Sequence, residues 1–174
     1  MTHTTDNQTN ASERSAVTAP KKKLIEVSLP LEAITRETQR ESKVRQAKPA
    51  TFHQWWSRKP LATARSVLFA QLVDDPSSNP DKFPSAAEQD IERQRLHRLM
   101  EKLASREGAS DHALISQART EIEKSNGGLP KFVDPFAGGG SIPLEAQRLG
   151  LEAHASDLNP VAALLNMAMI SIPP

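Results

Sequence analysis

Apolar residues recur at helical spacing in three stretches in the middle of the chain. The first stripe predicts a helix that starts at Pro60 and runs to about Val73. Its members are Leu61, Ala64, Leu68 and Leu72. Two further helices should follow. Ser85 and Glu88 form a capping box that opens the first, which should stop at Gly108, and the second should close at residues 126–128, Asn-Gly-Gly. Their stripes are Leu96, Leu99 and Leu103, and then Ile115, Ala118 and Ile122. We predict that residues 76–129 form an inserted helical hairpin without identifiable chemistry.

The first third of the chain has a different pattern. Residues 1–20 are rich in Thr, Ser and Asn and show no apolar periodicity, which predicts a disordered tail. Residues 24–29 form a short apolar stretch that ends at Pro30, and residues 31–46 favour an exposed helix. Glu41 and Arg45 have the four-residue spacing that supports such a helix.

After residue 130 the pattern becomes strand, turn, helix and strand. Residues 131–133 are a short strand candidate, and the following helix should end at Gly150. Residues 152–156 form the second strand candidate, after which Asn159 and Pro160 can cap and open another helix. This βαβα order predicts the start of a doubly wound α/β sheet with a right-handed crossover over residues 130–174. The predicted fold class is therefore a partial, Rossmann-like α/β domain preceded by helical segments.

Composition narrows the class of protein. The 174 residues include no cysteine, which excludes a disulfide framework and a cysteine-built zinc site in this chain. The longest apolar run is interrupted by Asn166 and is shorter than the roughly 20 residues of a membrane span. The first ten residues are polar and do not resemble a secretory signal. We therefore expect a cytoplasmic protein of at most one ordinary domain.

The charge is distributed unevenly, although the net charge is only +1. Residues 1–65 hold 12 Lys and Arg against 6 Asp and Glu, whereas residues 66–174 hold 10 against 15. A basic N-terminal third can bind phosphate groups. Alternatively, Lys21, Lys22 and Lys23 solvate a flexible arm and the arginines line a helix surface. The charge pattern leaves both interpretations open.

Three glycines mark the turn between the first strand and the helix. Gly138, Gly139 and Gly140 remove every side chain there, so a ligand can approach the backbone and the amides at the helix N-terminus. Asp157 follows the second strand, 17 residues after Gly140, close to the spacing of about 20 for an acid that binds ribose hydroxyls. No Gly-Lys-Ser/Thr follows, which argues against a P-loop. The pattern predicts a nucleoside cofactor site.

Asp134 helps to identify the cofactor. It precedes the glycines and places a negative charge where NAD would carry its pyrophosphate. S-adenosylmethionine carries a cationic sulfonium and an amino group at that position instead, and electrostatics therefore favours the methyl donor. We predict no metal site, because His97, His112 and His154 lack ligand spacing.

Two segments resemble known methyltransferase motifs. Residues 134–141, Asp-Pro-Phe-Ala-Gly-Gly-Gly-Ser, resemble the first motif of the amino-group DNA methyltransferases, and residues 157–160, Asp-Leu-Asn-Pro, resemble their ribose-binding motif. Residues 24–34 and 55–61 resemble the N-terminal domain of unknown function (DUF1156) of the zinc-ribbon adenine-specific DNA methylases. This resemblance implies that residues 21–75 form such an N-terminal domain. The resemblance covers about residues 21–174. It implies S-adenosylmethionine as cofactor, DNA as substrate, methyl transfer to the amine of adenine, and a setting in bacterial phage defence.

The resemblance also implies a set of cofactor-binding residues. Phe136, Gly138 and Gly140 would line the amino-acid end of the cofactor and Asp157 its ribose, while a Lys-Pro-Leu helix would pack against the cofactor. The predicted cofactor-binding residues are Asp134, Pro135, Phe136, Ala137, Gly138, Gly139, Gly140, Asp157 and Asn159, with Lys59 and Pro60 from the upstream segment.

The chain also departs from that family. It contains neither the Asp/Asn-Pro-Pro-Tyr/Phe motif that holds the target amine nor the cysteine-rich zinc ribbon. We therefore predict no catalytic residue and expect the chain to be the N-terminal, cofactor-binding part of a longer or split enzyme. Two alternatives stay open: part of an RNA guanine-amine methyltransferase, or a non-catalytic module that binds nucleic acid or a partner.

A few single residues have more than one possible role. Trp55 and Trp56, beside Arg58 and Lys59, can stack on a flipped base or on the adenine of the cofactor. We favour a structural role over stacking: one Trp would pack in the core and the other would cover the cofactor helix. His53 is interpreted as structural. Met167 and Met169 are expected to fill the core from the last helix.

Overall fold

The computed structural model describes residues 20–43 and 55–171. The predicted tail, apart from Pro20, and His53 lie outside the described residues. The bounds of the seven helices in these two ranges are α1 Leu24–Val27, α2 Leu31–Lys43, α3 Leu61–Leu72, α4 Ala86–Ala104, α5 His112–Asn126, α6 Ser141–Arg148 and α7 Pro160–Asn166. A 3₁₀ turn at Pro76–Ser78 follows α3, and a π-helical turn at Met167–Ser171 continues α7.

The sheet consists of β1 (Lys131–Asp134) and β2 (Glu152–Ala155), joined through α6. The strands are parallel, with Lys131 opposite Glu152 and Asp134 opposite Ala155. The predicted order of strand, turn, helix, strand and helix is therefore confirmed. The described part of the chain is a mixed helical fold with a small two-stranded parallel sheet, which is consistent with part of an α/β fold.

Helix α3 lies at the centre of the helical core. The predicted stripe is buried or half-buried, but residues outside it, including Phe69 and Ala70, are also fully buried. This happens because α1, α2, α4, α5 and α6 all pack against α3. The stripes predicted for α4 and α5 face the same core, which also contains Leu149 and Leu151 beside the sheet. Burial of a side chain such as Phe69 contributes about 1.5 to 3 kcal/mol.

Several helix ends follow from local sequence. Ser85 and Glu88 form the predicted capping box at the start of α4, with the Ser85 hydroxyl accepting from the Glu88 N–H at 3.2 Å. Gly127 ends α5 in the left-handed conformation, as predicted. Gly108, however, does not end α4, which finishes at Ala104. It lies in the next turn, where a Cβ atom would be only 2.0 Å from the carbonyl oxygen of Lys102.

The lysines near the start of the described residues are anchored. The Lys23 ammonium contacts the Asp74 carboxylate at 2.8 Å, and Lys21 reaches the other oxygen of Asp74 at 3.2 Å. The Leu24 N–H also donates to the Val73 carbonyl at 2.9 Å. For Lys21 and Lys23 the interpretation as a flexible, solvated arm is therefore wrong, because both side chains hold the N-terminal segment against the end of α3.

Asp75 holds the other side of this junction. Arg93 of α4 donates two hydrogen bonds to the buried Asp75 carboxylate, at 2.8 and 3.0 Å, and Ser77 donates two more. Burial alone would raise the pKa of Asp75, but these hydrogen bonds outweigh it and the net pKa is lowered. Asp75 is therefore ionised, and its hydrogen bonds with Arg93 connect the loop after α3 to α4.

One buried ion pair connects the helical core to the α/β segment. Arg65 of α3 contacts Glu145 of α6 at 3.2 Å, and both side chains are almost completely buried. Arg148 also pairs with Glu145. Burial raises the pKa of Glu145 and lowers the pKa of Arg65, and the attraction between the two charges opposes both shifts. The pair fixes α6 against α3. No described helix is both long and apolar enough to span a membrane.

The ion pair predicts a large and local effect on stability. Glu145→Gln removes the carboxylate that pairs with the buried Arg65 guanidinium, which should cost about 3 kcal/mol in the free energy of unfolding measured with urea. Glu152→Gln is the matched control, because Glu152 pairs with Lys131 at the surface and should change the urea midpoint little. Equal midpoints for the two variants would contradict the assigned role of Glu145.

Candidate functional site

The turn between β1 and α6 is closely joined to the end of β2. The Ser156 N–H donates to the Asp134 carbonyl at 2.9 Å, and the Ala137 N–H donates to the Ser156 carbonyl at 3.0 Å. Gly138 and Gly140 have φ angles of +51° and +72°, which glycine adopts without strain. The chain can therefore reverse within three residues and begin α6 directly beyond the tip of the sheet.

Asp157 lies beside this turn, as the spacing predicted. One carboxylate oxygen accepts from the Gly138 N–H at 2.8 Å and the other from the Asn159 N–H at 2.8 Å. These bonds, from Asn159 and then Gly138, lower the pKa of Asp157. Asn159 caps α7 through the Val161 N–H, as predicted. The carboxylate is therefore ionised and oriented, and it keeps lone pairs for further donors.

Asn166 supports the turn from α7, and the sequence interpretation missed this role. Its side-chain amide donates to the Gly138 carbonyl at 3.0 Å and to the Ala162 carbonyl at 2.8 Å. A Cβ atom on Gly140 would lie 2.8 Å from its carbonyl oxygen and 2.5 Å from the terminal methyl of Met169. The available signal was a single polar residue inside an apolar helix. Met167, expected in the core, is 57% exposed instead.

Trp55 packs against the other two glycines. A Cβ atom on Gly138 would lie 3.1 Å from the Trp55 indole nitrogen, and one on Gly139 would lie 3.0 Å from the Trp55 Cβ. We expected the missing side chains of the glycines to leave room for a ligand. That expectation is wrong for the positions where their Cβ atoms would lie. The protein's own side chains, Trp55, Asn166 and Met169, occupy that space.

The backbone amides of the turn are only partly available. The Gly138 N–H binds Asp157, and the Gly140 N–H donates to the Ala137 carbonyl at 2.9 Å. Within the described ranges, the N–H groups of Gly139 and Ser141 have no hydrogen-bond partner. Fewer backbone amides are therefore available to a ligand than the sequence predicts. These two donors stand at the N-terminus of α6, where the helix dipole favours an anionic group.

Two side-chain oxygens near the turn are buried without a partner among the described residues. They are the Ser141 hydroxyl at the first position of α6 and the carbonyl oxygen of the Asn166 amide. Buried polar atoms without partners are uncommon in native structures, because each costs desolvation free energy. Their presence beside the turn is consistent with a polar ligand there.

The remaining predicted site residues surround the turn. Asp134 is half-buried and accepts from the Phe136 N–H at 3.1 Å, while the Phe136 side chain is 78% exposed. Pro135 is exposed and Ala137 is half-buried. The structure thus brings together Asp134, Pro135, Phe136, Ala137, the three glycines, Asp157 and Asn159. Their roles in binding a cofactor stay predictions.

The upstream segment is positioned by α2. Both oxygens of Glu41 accept from the first amides of α3, those of Leu61 at 3.1 Å and Ala62 at 3.0 Å. Pro60 is the N-cap of α3, whereas the sequence predicts it as the first residue of the helix. Burial lowers the pKa of Arg58, and attraction to Glu41 opposes this shift. Lys59 is exposed and makes no hydrogen bond or ion pair to the turn within the described ranges.

The geometry supports binding of a polar organic molecule. Two carboxylates, Asp134 and Asp157, flank the turn and can attract cationic groups or accept from hydroxyls. The two unpaired amides can donate to an anionic group. In the part of the chain that the structure describes, no three His, Asp or Glu side chains form a group that could hold a metal ion.

Comparison with protein families finds two matches. Residues 28–99 match the model described as protein of unknown function (DUF1156), and residues 111–171 match the D12 class N6 adenine-specific DNA methyltransferase model. The first match includes most of α4 and the second begins just before α5, so both enter the segment that the sequence predicts as an inserted hairpin. The domain boundaries at residues 75 and 129 stay predictions. No curated protein and no solved structure matches the chain.

The two matches support the predicted combination of an N-terminal domain of unknown function with a methyltransferase segment. The second match is a similarity over residues 111–171 to a model of DNA methyltransferases, a class of enzyme whose substrate is DNA. A D12 class domain in general implies S-adenosylmethionine as the methyl donor.

The packing around Gly140 predicts a destabilisation that a matched glycine isolates. Gly140→Ala should suffer both the left-handed backbone and a collision with Asn166 and Met169. Gly127→Ala has nearly the same φ, +71° against +72°, but no atom within 4 Å of the new Cβ. We expect Gly140→Ala to lower the free energy of unfolding by about 1 to 3 kcal/mol more than Gly127→Ala. Equal losses in urea unfolding would show that the turn can accommodate a side chain.

The hydrogen bonds to Asp157 predict a pH dependence. Because the folded-state pKa of Asp157 is lowered, its contribution to stability is complete above its unfolded-state pKa of about 3.9 and is lost as the pH falls through the folded-state value. The difference in urea midpoint between the wild-type chain and Asp157→Asn should therefore narrow as the pH falls below about 4. A difference that is the same at neutral and strongly acidic pH would contradict this assignment.

Proposed function

We propose that the chain binds S-adenosylmethionine at the turn between β1 and α6 and forms the N-terminal, cofactor-binding part of a Rossmann-like DNA methyltransferase that acts on the amine of adenine. The observation that carries the proposal is the position of Asp157, whose carboxylate is fixed by two backbone amides at the end of β2 beside the glycine turn. The match of residues 111–171 to the D12 class model supports the same function.

Each part of the turn suits one part of the cofactor. Asp157 would accept hydrogen bonds from the ribose hydroxyls, since its oxygens retain lone pairs after binding two amides. Asp134 would attract the cationic groups of the methionine portion. The N–H groups of Gly139 and Ser141 would donate to its carboxylate at the N-terminus of α6. When bound, S-adenosylmethionine supplies an electrophilic methyl group.

The unpaired oxygens next to the turn strengthen this assignment. The Ser141 hydroxyl and the Asn166 carbonyl oxygen are buried and lack partners within the described part of the chain. A ligand with an amino group and a carboxylate would offer such atoms a donor or an acceptor. The methyl-transfer step itself is assigned to no residue of this chain.

The match to a DNA methyltransferase model favours DNA over RNA as the substrate. It also favours an enzyme part over a non-catalytic module. A non-catalytic module that contacts nucleic acid through the basic N-terminal third would show salt-sensitive DNA binding that does not respond to S-adenosylmethionine. The anchoring of Lys21 and Lys23 on Asp74 weakens that alternative, because these cations are already paired.

Calorimetric titration with S-adenosylmethionine tests the proposal. Asp157→Asn should weaken the affinity by about tenfold or more, because the amide that replaces one carboxylate oxygen cannot accept, and bonds to charged acceptors are the stronger ones. The matched control is Asp111→Asn. Asp111 also accepts from two backbone amides, those of Ala113 and Leu114, but it caps α5 instead. Its variant should bind the cofactor as the wild-type chain does.

Two outcomes would contradict the proposal. The first is a wild-type chain that binds no S-adenosylmethionine although its far-ultraviolet circular dichroism shows the expected helices. The second is an unchanged affinity in Asp157→Asn, which would place the ribose elsewhere.

A further inference from the structure

We propose that Trp56 is a stacking platform for an unpaired base of the DNA substrate, held beside the cofactor turn by Trp55. This inference rests on the proposed function, because it names where the substrate of that same site would bind.

The two indoles form a continuous stack that begins at the turn. Their ring centroids are 5.1 Å apart and their planes differ by 19°. Trp55 is half-buried and contacts Gly138 and Gly139, whereas the side chain of Trp56 is 84% exposed. Trp55 therefore supports Trp56 from one side, and most of the Trp56 ring surface is accessible to another flat molecule.

A nucleobase fits this surface better than an apolar protein segment does. Lys59, three residues along the chain, is exposed and supplies a positive charge that can face a phosphate. An exposed aromatic ring with a basic residue close by in the chain is a combination that binds single-stranded nucleic acid, where each stacked base contributes substantially to affinity.

The base is also distinct from the adenine of the cofactor. The atoms nearest to the Cβ positions of Gly138 and Gly139 belong to Trp55, and none of them belongs to Trp56. Trp55 thus contacts both the turn and Trp56, so a ring stacked on the exposed face of Trp56 would be separate from a molecule bound at the turn. Because a base in a duplex is covered by its neighbours, the proposed ligand is a base that has left the stack.

The test compares two labelled single-stranded oligodeoxynucleotides, one with a central adenine and one with an abasic site at that position, by fluorescence anisotropy with the full chain. Trp56→Ala should weaken binding of the adenine oligonucleotide about tenfold. It should leave binding of the abasic oligonucleotide unchanged. Trp56→Phe keeps a flat ring and should retain most of the affinity.

Ile91→Ala serves as the control for loss of an exposed apolar side chain, since Ile91 is 66% exposed on α4, and it should change neither affinity. The circular dichroism of each variant should match that of the wild-type chain, because Trp56 is 84% exposed.

Three results would overturn the assignment. The first is that the wild-type chain binds neither oligonucleotide. The second is an equal loss for both oligonucleotides in Trp56→Ala, which would mean that Trp56 does not contact a base. The third is a weaker calorimetric affinity of Trp56→Ala for S-adenosylmethionine alone, which would place the cofactor adenine on Trp56.

The same calorimetry separates this inference from the proposed function. If the wild-type chain binds S-adenosylmethionine but the oligonucleotides show no dependence on Trp56, the inference fails and the proposed function stands. If the chain binds no S-adenosylmethionine while the adenine-dependent loss persists, the proposed function fails and Trp56 still binds a base.

Discussion

The buried ion pair between Arg65 and Glu145 is the constraint on which the rest of the structure depends. Neither charge can leave water without the other, so α6 has to meet α3 at this contact. Since α6 begins at the glycine turn, the same contact fixes where the turn lies relative to the N-terminal helices. Glu41 adds a second restraint by capping α3 from α2. The helical segment thereby orients the turn of the α/β segment.

The glycine turn is a packing junction as well as a candidate binding site. Trp55, Asp157 and Asn166 arrive from three different segments and contact it through an indole ring, a carboxylate and an amide. Small residues are required because these side chains fill the space that a Cβ would need. The glycine pattern alone therefore could not distinguish a turn opened for a ligand from a turn closed by its own protein. Binding of a ligand is still supported by the two unpaired amides, those of Gly139 and Ser141, and by the oriented carboxylate of Asp157.

Local chemistry made much of the fold predictable. The capping box at Ser85, the left-handed Gly127 and the strand, turn and helix after residue 130 depend on neighbours within a few residues, and the structure confirms them. The missed features join residues far apart in the chain. Asn166 is conspicuous as a polar residue in an apolar helix, but nothing near it or near Glu41 in the sequence identifies Gly138 or the start of α3 as the partner. The ion pair between Lys23 and Asp74 could not be predicted either, because a count of charges does not identify which residues pair.

The two segments differ in how completely they bury their apolar residues. The helical segment encloses its core around Phe69, whereas Val133 on β1 is 66% exposed and Leu164 on α7 is 67% exposed. In the sheet, Phe132 and Ala153 pack against the core and the alternate residues point away from it. Parallel sheets are stable when helices cover both faces, and among the described elements α6 packs on both strands. The buried ion pair holds α6 against α3, and Leu149 and Leu151 join the same core beside the sheet. The small sheet is therefore attached to the helical segment through α6.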